Sequence, residues 1–471
     1  MINDDYKKLW LCATHSWGMK IRIERKVFMA KVIPFRGLRY NTDKVQDLNA
    51  VTAPPYDIIS PAQKQELYNK DEFNVVRLDY GMDFVSDDET NNRYTRSAAY
   101  LEKWMEDQTL VFEDKPAFYI YEQIFSLGTE KPSHALKGII GLVQLEEFSK
   151  KVVLPHEETI SKAKADRLQL MQATGANLSQ VYSLYMDENK EIAGLLENYS
   201  DGEPDFSFVT DENITQNIWI IKDAAVNAHI SVLFEKKQVF IADGHHRYET
   251  ALQYRKERHA ADGTQEGTMP YDFVMMMLVS MSDGGLFVFP THRMIRGLDN
   301  FDEVLLIGFL TENFTVSKIY FTEGDYASII TDRLANTVDE TLFGLYTGQN
   351  YYYLLKLKST APIDEAVQDR SEAYRHLDVT ILHKLILEKY MGIDEDNMRS
   401  QKNLVYTRDA GEAVKAVKNG EMDCAFLINP PKVSEIQAIA EANEKMPQKS
   451  TYFWPKLVTG IVMNKFTQPE K

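Results

Sequence analysis

One strand-to-helix turn constrains the fold of this chain more than any other stretch: Val239–Tyr254, VFIADGHHRYETALQY. Its apolar start is typical of a short strand that is covered on both faces. From Tyr248 onward, apolar residues recur at helical spacing, and Asp243 and Gly244 suit the tight turn between the two elements. The sequence therefore predicts a buried strand that passes within a few residues into a helix.

The same turn carries an unusual concentration of cationic donors. His245, His246 and Arg247 stand at the start of the predicted helix, where the helix dipole and the free backbone N–H groups already favour an anion. A bound phosphate or carboxylate would offset this crowding of donors. Gly244 would let such a ligand approach the backbone closely. The turn is therefore a candidate anion-binding site.

The wider pattern predicts a mixed α/β (α+β) fold. The continuous apolar run Phe273–Met281 is typical of a buried strand. An amphipathic helix is predicted over His376–Ile393, with its end near Gly392. The stretch that follows, NLVYTRDAGEAVKAVKNGEMDCAFLINPP, has a strand-helix-strand pattern, with Asp409 near the helix start and Gly420 near its end.

At 471 residues the chain is too long for one ordinary core, so several domains are expected. We predict that residues 1–28 form an extension outside the fold and that residues 29–150 form an N-terminal region. Residues 151–300 would be the module that contains the turn, and residues 301–471 a C-terminal α/β lobe.

Charge and cysteine content narrow the possible partners. The net charge of −17 disfavours a nucleic-acid partner, because binding a phosphate backbone needs a basic surface. Cys12 and Cys424 form neither a disulfide framework nor a thiolate metal cluster, which suits a reducing cytoplasm. No apolar run reaches membrane-spanning length, and the first 28 residues lack the apolar core of a secretory signal. We therefore expect a cytoplasmic protein without a nucleic-acid or membrane partner.

A second polar cluster, His156, Glu157 and Glu158, follows Pro155 and precedes a long helical segment that contains Arg167. Taken alone, it is typical of a solvated helix start, where carboxylates stabilise the dipole. Together with the later turn, it suggests a reaction centre.

Phosphoryl transfer, the reaction that a resemblance to the free serine kinases implies, would use residues of these types. The reaction needs positioning, charge stabilisation and a base for the hydroxyl proton. Glu157, Asp243 and His246 are the catalytic candidates: Glu157 could take the proton, and Asp243 could hold Mg²⁺ against the phosphates. The P-loop pattern and the protein-kinase signatures are absent. The candidates for binding nucleotide phosphates are Gly244, His245, His246 and Arg247.

The order of the two clusters, PHE at Pro155–Glu157 and then DGHHR at Asp243–Arg247, resembles the ParB/sulfiredoxin-like superfamily over roughly residues 150–260. Within it, the chain is most similar to the free serine kinases. That resemblance implies a fold of this type, a base role for Glu157 on a serine hydroxyl, and nucleotide phosphates at the turn. Sulfiredoxin chemistry needs a cysteine at the turn, and neither cysteine of the chain is near it.

From Met29 onward the chain also resembles the bacterial family named domain of unknown function 1015, whose name states no activity. The motifs that carry this resemblance, in chain order, are IPFRGLRY, APPYDIIS, LPHEET, KADRL, ADGHHRYETA, PTHR and MPQKSTYFWPKL.

Further residues are candidates for substrate or second-anion contacts. His292 and Arg293, in FPTHRMIRG, fit a loop ion pair or an anion contact equally well. Lys449, before an aromatic run, could close over a ligand or lie in a tight turn. The proline-rich TAPPYDIIS stretch could be a structural loop or a lid. The complete set of such candidates is His156, Arg167, His292, Arg293 and Lys449.

The functional hypothesis is a small-molecule kinase that transfers a phosphoryl group from ATP or ADP, with Mg²⁺, to a hydroxyl compound. L-serine is the first candidate substrate, with O-phosphoserine as the product. One alternative is a non-catalytic, ParB-like protein that binds a nucleotide or another anion as a regulator. A third hypothesis is a metal-dependent hydrolase that uses the histidines and carboxylates of both clusters. Against it, no HExxH motif is present, and adjacent histidines at a helix start point in different directions.

Overall fold

The computed structural model describes residues 30–127, 133–157, 161–267, 269–299, 301–337 and 340–466. The predicted extension, residues 1–28, lies outside the described residues, and so does Glu158. The described chain is mixed α/β, as predicted, and strands and helices alternate along most of it.

The strands, in chain order, are β1 (Val32–Ile33), β2 (Leu38–Tyr40), β3 (Leu110–Phe112), β4 (Phe118–Ser126), β5 (Ser133–Gln144), β6 (Val153–Leu154), β7 (Ala176–Asn177), β8 (Val181–Tyr185), β9 (Phe206–Val209), β10 (Thr215–Ile221), β11 (Val239–Asp243), β12 (Phe273–Ser280), β13 (Phe287–Phe289), β14 (His292–Ile295), β15 (Phe314–Tyr320), β16 (Leu342–Tyr346), β17 (Tyr351–Leu357), β18 (Leu404–Thr407), β19 (Cys424–Ile428), β20 (Tyr452–Trp454) and β21 (Asn464–Lys465).

The α-helices are α1 (Leu48–Val51), α2 (Pro61–Lys70), α3 (Val76–Asp79), α4 (Arg93–Glu106), α5 (Ser161–Thr174), α6 (Glu191–Tyr199), α7 (Ala224–Phe234), α8 (His245–Asp262), α9 (Glu303–Leu310), α10 (Tyr326–Ala335), α11 (Ala361–Ala366), α12 (Glu372–Arg375), α13 (Asp378–Leu382), α14 (Lys389–Met391), α15 (Glu395–Ser400), α16 (Ala410–Lys418) and α17 (Val433–Glu441). A π-helical segment, His383–Glu388, joins α13 to α14. Among the described residues, no helix combines the length and the apolarity that crossing a bilayer requires.

The turn at Asp243 lies in a large mixed sheet, which has nine strands within the described residues. Its order is β6-β11-β8-β12-β5-β4-β10-β9, with β1 on β5, and β11 runs parallel to β6 and antiparallel to β8. Side chains alternate across β11: Val239 and Ile241 pack into the core on one face, Phe240 and Ala242 into the core on the other. The prediction of a strand covered on both faces is confirmed.

The two faces of this sheet are covered by different parts of the chain. Helices α7 and α8 cover one face, where Phe234 and Tyr248 are fully buried. Helix α17 and the segment after it cover the other face, where Phe453 and Val462 are buried. This last segment crosses the sheet beside β11, so it brings residues from the far end of the chain to the turn.

A second sheet, with six strands among the described residues, is antiparallel throughout, in the order β15-β17-β16-β19-β14-β18. The predicted strand-helix-strand unit is present as β18, α16 and β19. Strand β14 lies between β18 and β19, so these two strands run in the same direction.

The sheets do not follow the predicted domain boundaries. Strands β4 and β5 come before residue 150, yet they share the large sheet with strands from residues 151–300. Strand β14 comes before residue 301 but belongs to the second sheet. The large sheet therefore joins the two segments that sequence reasoning separates at residue 150.

Candidate functional site

The turn between β11 and α8 depends on a glycine. Gly244 has a φ of 93°, in the left-handed region that L side chains rarely adopt. A Cβ atom at this position would lie 2.8 Å from Nε and 2.9 Å from Nη2 of Arg247. Only glycine therefore lets the Arg247 guanidinium fold back against the turn. No side chain caps the first turn of α8, because the cap residue is Gly244 itself.

Arg247 is held beside the turn, but one of its hydrogen-bond donors has no acceptor among the described residues. Its Nη1 donates to the carbonyl of Gln180, and its Nη2 lies 3.8 Å from a carboxylate oxygen of Asp243. Its Nε is buried, and among the described residues it has no hydrogen-bond partner. Such a donor costs about 1–3 kcal/mol. An acceptor atom from a ligand would remove that cost.

Asp243 ends β11 in an ion pair that sequence reasoning missed. Its Oδ2 lies 2.5 Å from Nζ of Lys456, which is 213 residues away in the chain. Burial alone would raise the pKa of Asp243, but Lys456 and Arg247 outweigh it and hold the pKa well below its usual range. Asp243 is therefore ionised, and its charge faces two cations.

A second carboxylate, Asp57, reaches the turn from the proline-rich loop. It lies in the 3₁₀ turn Tyr56–Ile58 and keeps an exposed surface. Loss of solvation raises the pKa of Asp57 and the charge of Asp243 raises it further, while Arg247 and Lys456 lower it. The loop that the sequence left open as a structural loop or a lid thus borders the site.

Glu157 is the third carboxyl group near the turn. It is half-buried, its backbone forms a parallel bridge with Met446, and its Oε1 accepts the backbone N–H of Lys449 at 3.5 Å. Loss of solvation is the main cause that raises its pKa; Lys449 opposes this and the charge of Asp243 adds to it. A carboxyl group with a raised pKa is suited to general acid–base work nearer neutral pH.

His156 and His245 hold the two clusters together. The backbone N–H of His156 donates to Nε2 of His245 at 3.2 Å. Nδ1 of His156 donates to the Ile241 carbonyl at 2.7 Å, and its Nε2 accepts from the Thr451 hydroxyl at 3.0 Å. Burial lowers the pKa of both histidines, that of His156 to about 4. The candidate substrate contact at His156 is thereby corrected: both ring nitrogens are used inside the protein, and the ring positions Glu157 against the turn.

His246 is half-buried at the start of α8. Burial is the main cause that lowers its pKa, Glu249 opposes this, and Lys164 lowers the pKa further. The imidazole is therefore neutral at pH 7. Its catalytic and phosphate-binding roles stay predictions.

Arg167 does not reach the turn as a ligand contact. It is buried; its Nη1 lies 3.1 Å from Asp79 and its Nη2 2.7 Å from Asp166. Its guanidinium also stacks on the Tyr56 ring, 4.0 Å from the centroid. The candidate substrate contact is corrected here too: Arg167 anchors the proline-rich loop from below through Tyr56.

The two candidates of FPTHRMIRG lie in the second sheet. His292 is buried, and its Nδ1 accepts the backbone N–H of Ile428 at 3.3 Å. Arg293 is fully buried, and its Nη2 donates to the Lys449 carbonyl at 3.4 Å. Neither side chain lies at the turn between β11 and α8, and the substrate or second-anion contact predicted for them stays a prediction. Lys449 meets Glu157 through its backbone, with a φ of 57° and an exposed side chain.

The metal chemistry that these residues allow is limited. Within the described ranges, no group of three or more His, Cys, Asp or Glu side chains could hold an ion. The ring nitrogens of His156 are also used by the protein itself. This geometry gives no support to the hydrolase hypothesis. Mg²⁺ makes a smaller demand, since it binds through one or two carboxylates plus substrate phosphates. Asp243 and Asp57, whose charges repel each other, fit that demand.

The chain belongs to the family described as "Protein of unknown function (DUF1015)", whose model matches residues 32–380. The family resemblance drawn from the motifs is therefore confirmed. No curated protein matches the chain.

Three solved structures are among those similar to the chain, all at low identity. A point mutant of free serine kinase in complex with AMP is 12% identical, with 69% of this chain and 92% of that chain covered, at a TM-score of 0.32. SbnI with a C-terminal truncation, from Staphylococcus aureus, is 12% identical, with 70% and 90% covered, at a TM-score of 0.33. A conserved hypothetical protein from Pyrococcus furiosus is 13% identical, with 69% and 95% covered, at a TM-score of 0.31. Likenesses this weak decide neither the fold nor the ligand of this protein, and the ParB/sulfiredoxin-like module stays an expectation.

Proposed function

We propose that this protein is a small-molecule kinase that transfers a phosphoryl group from ATP or ADP to a hydroxyl compound, with L-serine as the first candidate. The observation that carries the proposal is the uncapped start of α8, with the unpartnered Nε of Arg247 beside it and the carboxyl group of Glu157 nearby.

The nucleotide phosphates would lie at the start of α8. The first-turn N–H groups of a helix have no intrahelical partners and favour negative charge. Arg247 would add its Nε donor to the same oxygens, and Gly244 leaves the backbone open to them. Lys456, already paired with Asp243, would add positive charge next to the phosphates.

Asp243 and Asp57 would hold a Mg²⁺ ion, which supplies neutralisation of the phosphate charge when it is bound. Without it, the charge of Asp243 raises the pKa of Asp57. With Mg²⁺ bound between them, the two carboxylates would face the phosphates, because the ion offsets the repulsion between these negative charges.

Glu157 would act on the acceptor. Its carboxylate removes the proton of the substrate hydroxyl while the hydroxyl oxygen bonds to the terminal phosphorus. The bond from that phosphorus to the bridging oxygen of the nucleotide breaks, and ADP leaves when ATP is the donor, or AMP when ADP is the donor. The proton stays on Glu157 until solvent takes it. His156, fixed by its hydrogen bonds to His245, Ile241 and Thr451, holds Glu157 in place.

The experiment that tests this proposal is serine-dependent phosphoryl transfer. Purified full-length protein is incubated with Mg²⁺, L-serine and either ATP or ADP, and O-phosphoserine is followed by ³¹P NMR. We expect O-phosphoserine with one of the donors, formed roughly 10²–10⁴ times more slowly by the variant Glu157→Gln. Nucleotide binding without any serine-dependent product would reject L-serine kinase activity.

One observation also favours a second function, that of a non-catalytic nucleotide-binding regulator. The charge of Asp243 is already balanced by Lys456 and Arg247, so the turn can exist as a closed ion network without Mg²⁺. A regulator would bind the nucleotide and change conformation, with no turnover of any hydroxyl compound. A panel of hydroxyl acceptors in the same NMR assay separates the two functions.

A further inference from the structure

A cavity of about 360 Å³ lies next to the site, and its wall is formed by helices that pack beside the second sheet and by residues 443–448. We call it the basic cavity. The lining residues that matter here are Arg370, Thr380, His383, Lys384, Arg399 and Lys445.

The lining of the basic cavity has more cations than carboxylates, although the chain as a whole is acidic. The chain carries a net charge of −17, yet four cationic side chains line this cavity against two carboxylates, Glu395 and Glu444. Glu444 is already used by the Ser371 backbone N–H, at 3.0 Å. Lys445 is half-buried, and no carboxylate of the described chain lies within ion-pair distance of it. The other three cations have carboxylates within 4.0 Å: Lys384 has Glu388 and Glu395, Arg399 has Glu395 and Asp396, and Arg370 has Asp369. Lys445 is therefore the cavity cation that no carboxylate of the described residues balances.

A buried arginine behind the cavity has no ion-pair partner among the described residues. Arg293 is fully buried and donates to Nε2 of His383 at 3.3 Å, with the Tyr406 ring 5.5 Å from its guanidinium. Both of these partners line the cavity. In the part of the chain that the structure describes, all its hydrogen-bond partners are neutral, and burial lowers the pKa of Arg293 to about 10. A buried charge of this kind is costly unless an anion compensates it.

A polar atom of the cavity wall also lacks a partner. The hydroxyl of Thr380 is buried and makes no hydrogen bond within the described residues. Hydroxyl groups commonly donate to anionic oxygens, and such bonds are stronger than those between neutral groups.

The basic cavity is connected to Glu157 by one short segment. Met446, in its wall, donates its backbone N–H to the His156 carbonyl at 2.7 Å and forms a bridge with Glu157. Three residues later, the backbone of Lys449 joins Glu157 to Arg293. A ligand in the cavity thus contacts the segment that positions the proposed base.

We infer that the basic cavity binds a small organic anion, through a carboxylate or phosphate group. One part of this inference rests on the proposed function: that the anionic group belongs to the hydroxyl compound that Glu157 deprotonates.

The test is isothermal titration calorimetry on the full-length protein with L-serine, with serine methyl ester and with inorganic phosphate. For the phosphate titrations, every protein also carries Arg247→Ala, because phosphate could otherwise bind at the turn between β11 and α8. Lys445→Gln removes a cation of the cavity, and Lys402→Gln, an exposed lysine of the same lobe outside the cavity, is the matched control. Thermal unfolding midpoints verify that both variants fold.

We expect L-serine or phosphate to bind, with affinity at least tenfold lower for Lys445→Gln and unchanged for Lys402→Gln. If L-serine is the ligand, its methyl ester binds at least tenfold more weakly. Binding of phosphate without L-serine assigns the cavity to a phosphorylated compound. Absence of binding by both, or equal affinity in Lys445→Gln and wild type, overturns the inference.

The two proposals fail in different ways. ADP binding and serine phosphorylation without any effect of Lys445→Gln would leave the kinase standing and remove the anion role of the cavity. Anion binding in the cavity without phosphoryl transfer to any hydroxyl compound would keep the anion role of the cavity and reject the kinase.

Discussion

Two strand-to-helix turns of this protein have the same secondary structure and opposite electrostatics. Between β18 and α16, Asp409 is the cap residue, and its Oδ1 accepts the backbone N–H groups of Gly411 at 2.7 Å and Glu412 at 3.1 Å. Between β11 and α8, the cap residue is Gly244, which has no side chain, and the adjacent Asp243 pairs with Lys456 instead.

The comparison shows where the protein leaves room for an external anion. Helix α16 carries its own anion at the cap and a second carboxylate, Glu412, in its first turn. Helix α8 has neither a capping side chain nor an acidic residue in its first turn. A capping side chain stabilises a helix by about 0.5–2 kcal/mol. In α8 we assign that role to a ligand.

The largest expected effect is on turnover, and it should distinguish the carboxyl group near the β11–α8 turn from the one at the β18–α16 turn. Glu157→Gln keeps the shape of the side chain but cannot take a proton, so turnover should fall by roughly 10²–10⁴, the usual range for a lost general base. Nucleotide affinity should stay nearly unchanged, since the base acts in the transition state. Steady-state kinetics and calorimetry measure the two quantities.

The matched control is Glu412→Gln at the capped turn, which should leave turnover unchanged. Equal losses in the two variants would mean that Glu157 stabilises structure only.

The pH dependence of kcat/KM tests the same carboxyl group. Glu157 must be ionised to act as a base, and its pKa is raised above the ordinary value of 4.5, mainly by loss of solvation. Activity should therefore be lost as pH falls through a midpoint above 4.5 and should be recovered as pH rises. A midpoint at or below 4.5, or the same acid limb in the residual activity of Glu157→Gln, would contradict this assignment.

A smaller effect, on nucleotide affinity, is expected when the arginine near each turn is replaced. Arg247→Ala removes the buried Nε donor, and nucleotide affinity should fall by about 1.5–3 kcal/mol, the usual contribution of charged hydrogen bonds. That is about 10–150-fold in Kd. Arg408→Ala, at the exposed arginine just after β18, should leave the affinity unchanged. Similar losses in both variants would show that general positive charge, not the uncapped turn, attracts the nucleotide.

The smallest expected effect concerns two glycines at the two ends of α8. Gly244→Ala should destabilise the protein by about 1–2 kcal/mol, the cost of a left-handed L residue, and should also weaken nucleotide binding, because the new methyl group displaces Arg247. Gly263→Ala has the same backbone strain, with a φ of 65°, but open space around it. Gly263→Ala should therefore lower stability and leave nucleotide binding unchanged. Chemical denaturation and calorimetry on both variants distinguish strain from a blocked site.

Much of the fold is visible in local patterns of the sequence. Strand β11, the start of α8 and the β18-α16-β19 unit follow from apolar spacing, a turn glycine and a capping aspartate, all of which act within a few residues. The predicted helix over His376–Ile393 is present and ends at Gly392, although a π-helical segment interrupts it.

The site was only partly predictable, because its remaining parts meet through the tertiary fold. Lys456 and Asp57 reach Asp243 from opposite ends of the chain, and no periodicity relates them. The sequence marks His156 and Arg167 as polar candidates, but it cannot show that buried partners already satisfy their polar atoms. Both are positioning residues, one for Glu157 and one for the proline-rich loop.

The most direct test of the central claim is a crystal structure of the protein with ADP and Mg²⁺. We predict that the phosphate oxygens lie within hydrogen-bond distance of the first-turn N–H groups of α8 and of Nε of Arg247, with Asp243 or Asp57 on the metal. Phosphates bound elsewhere, with the start of α8 left in contact with solvent, would contradict the account.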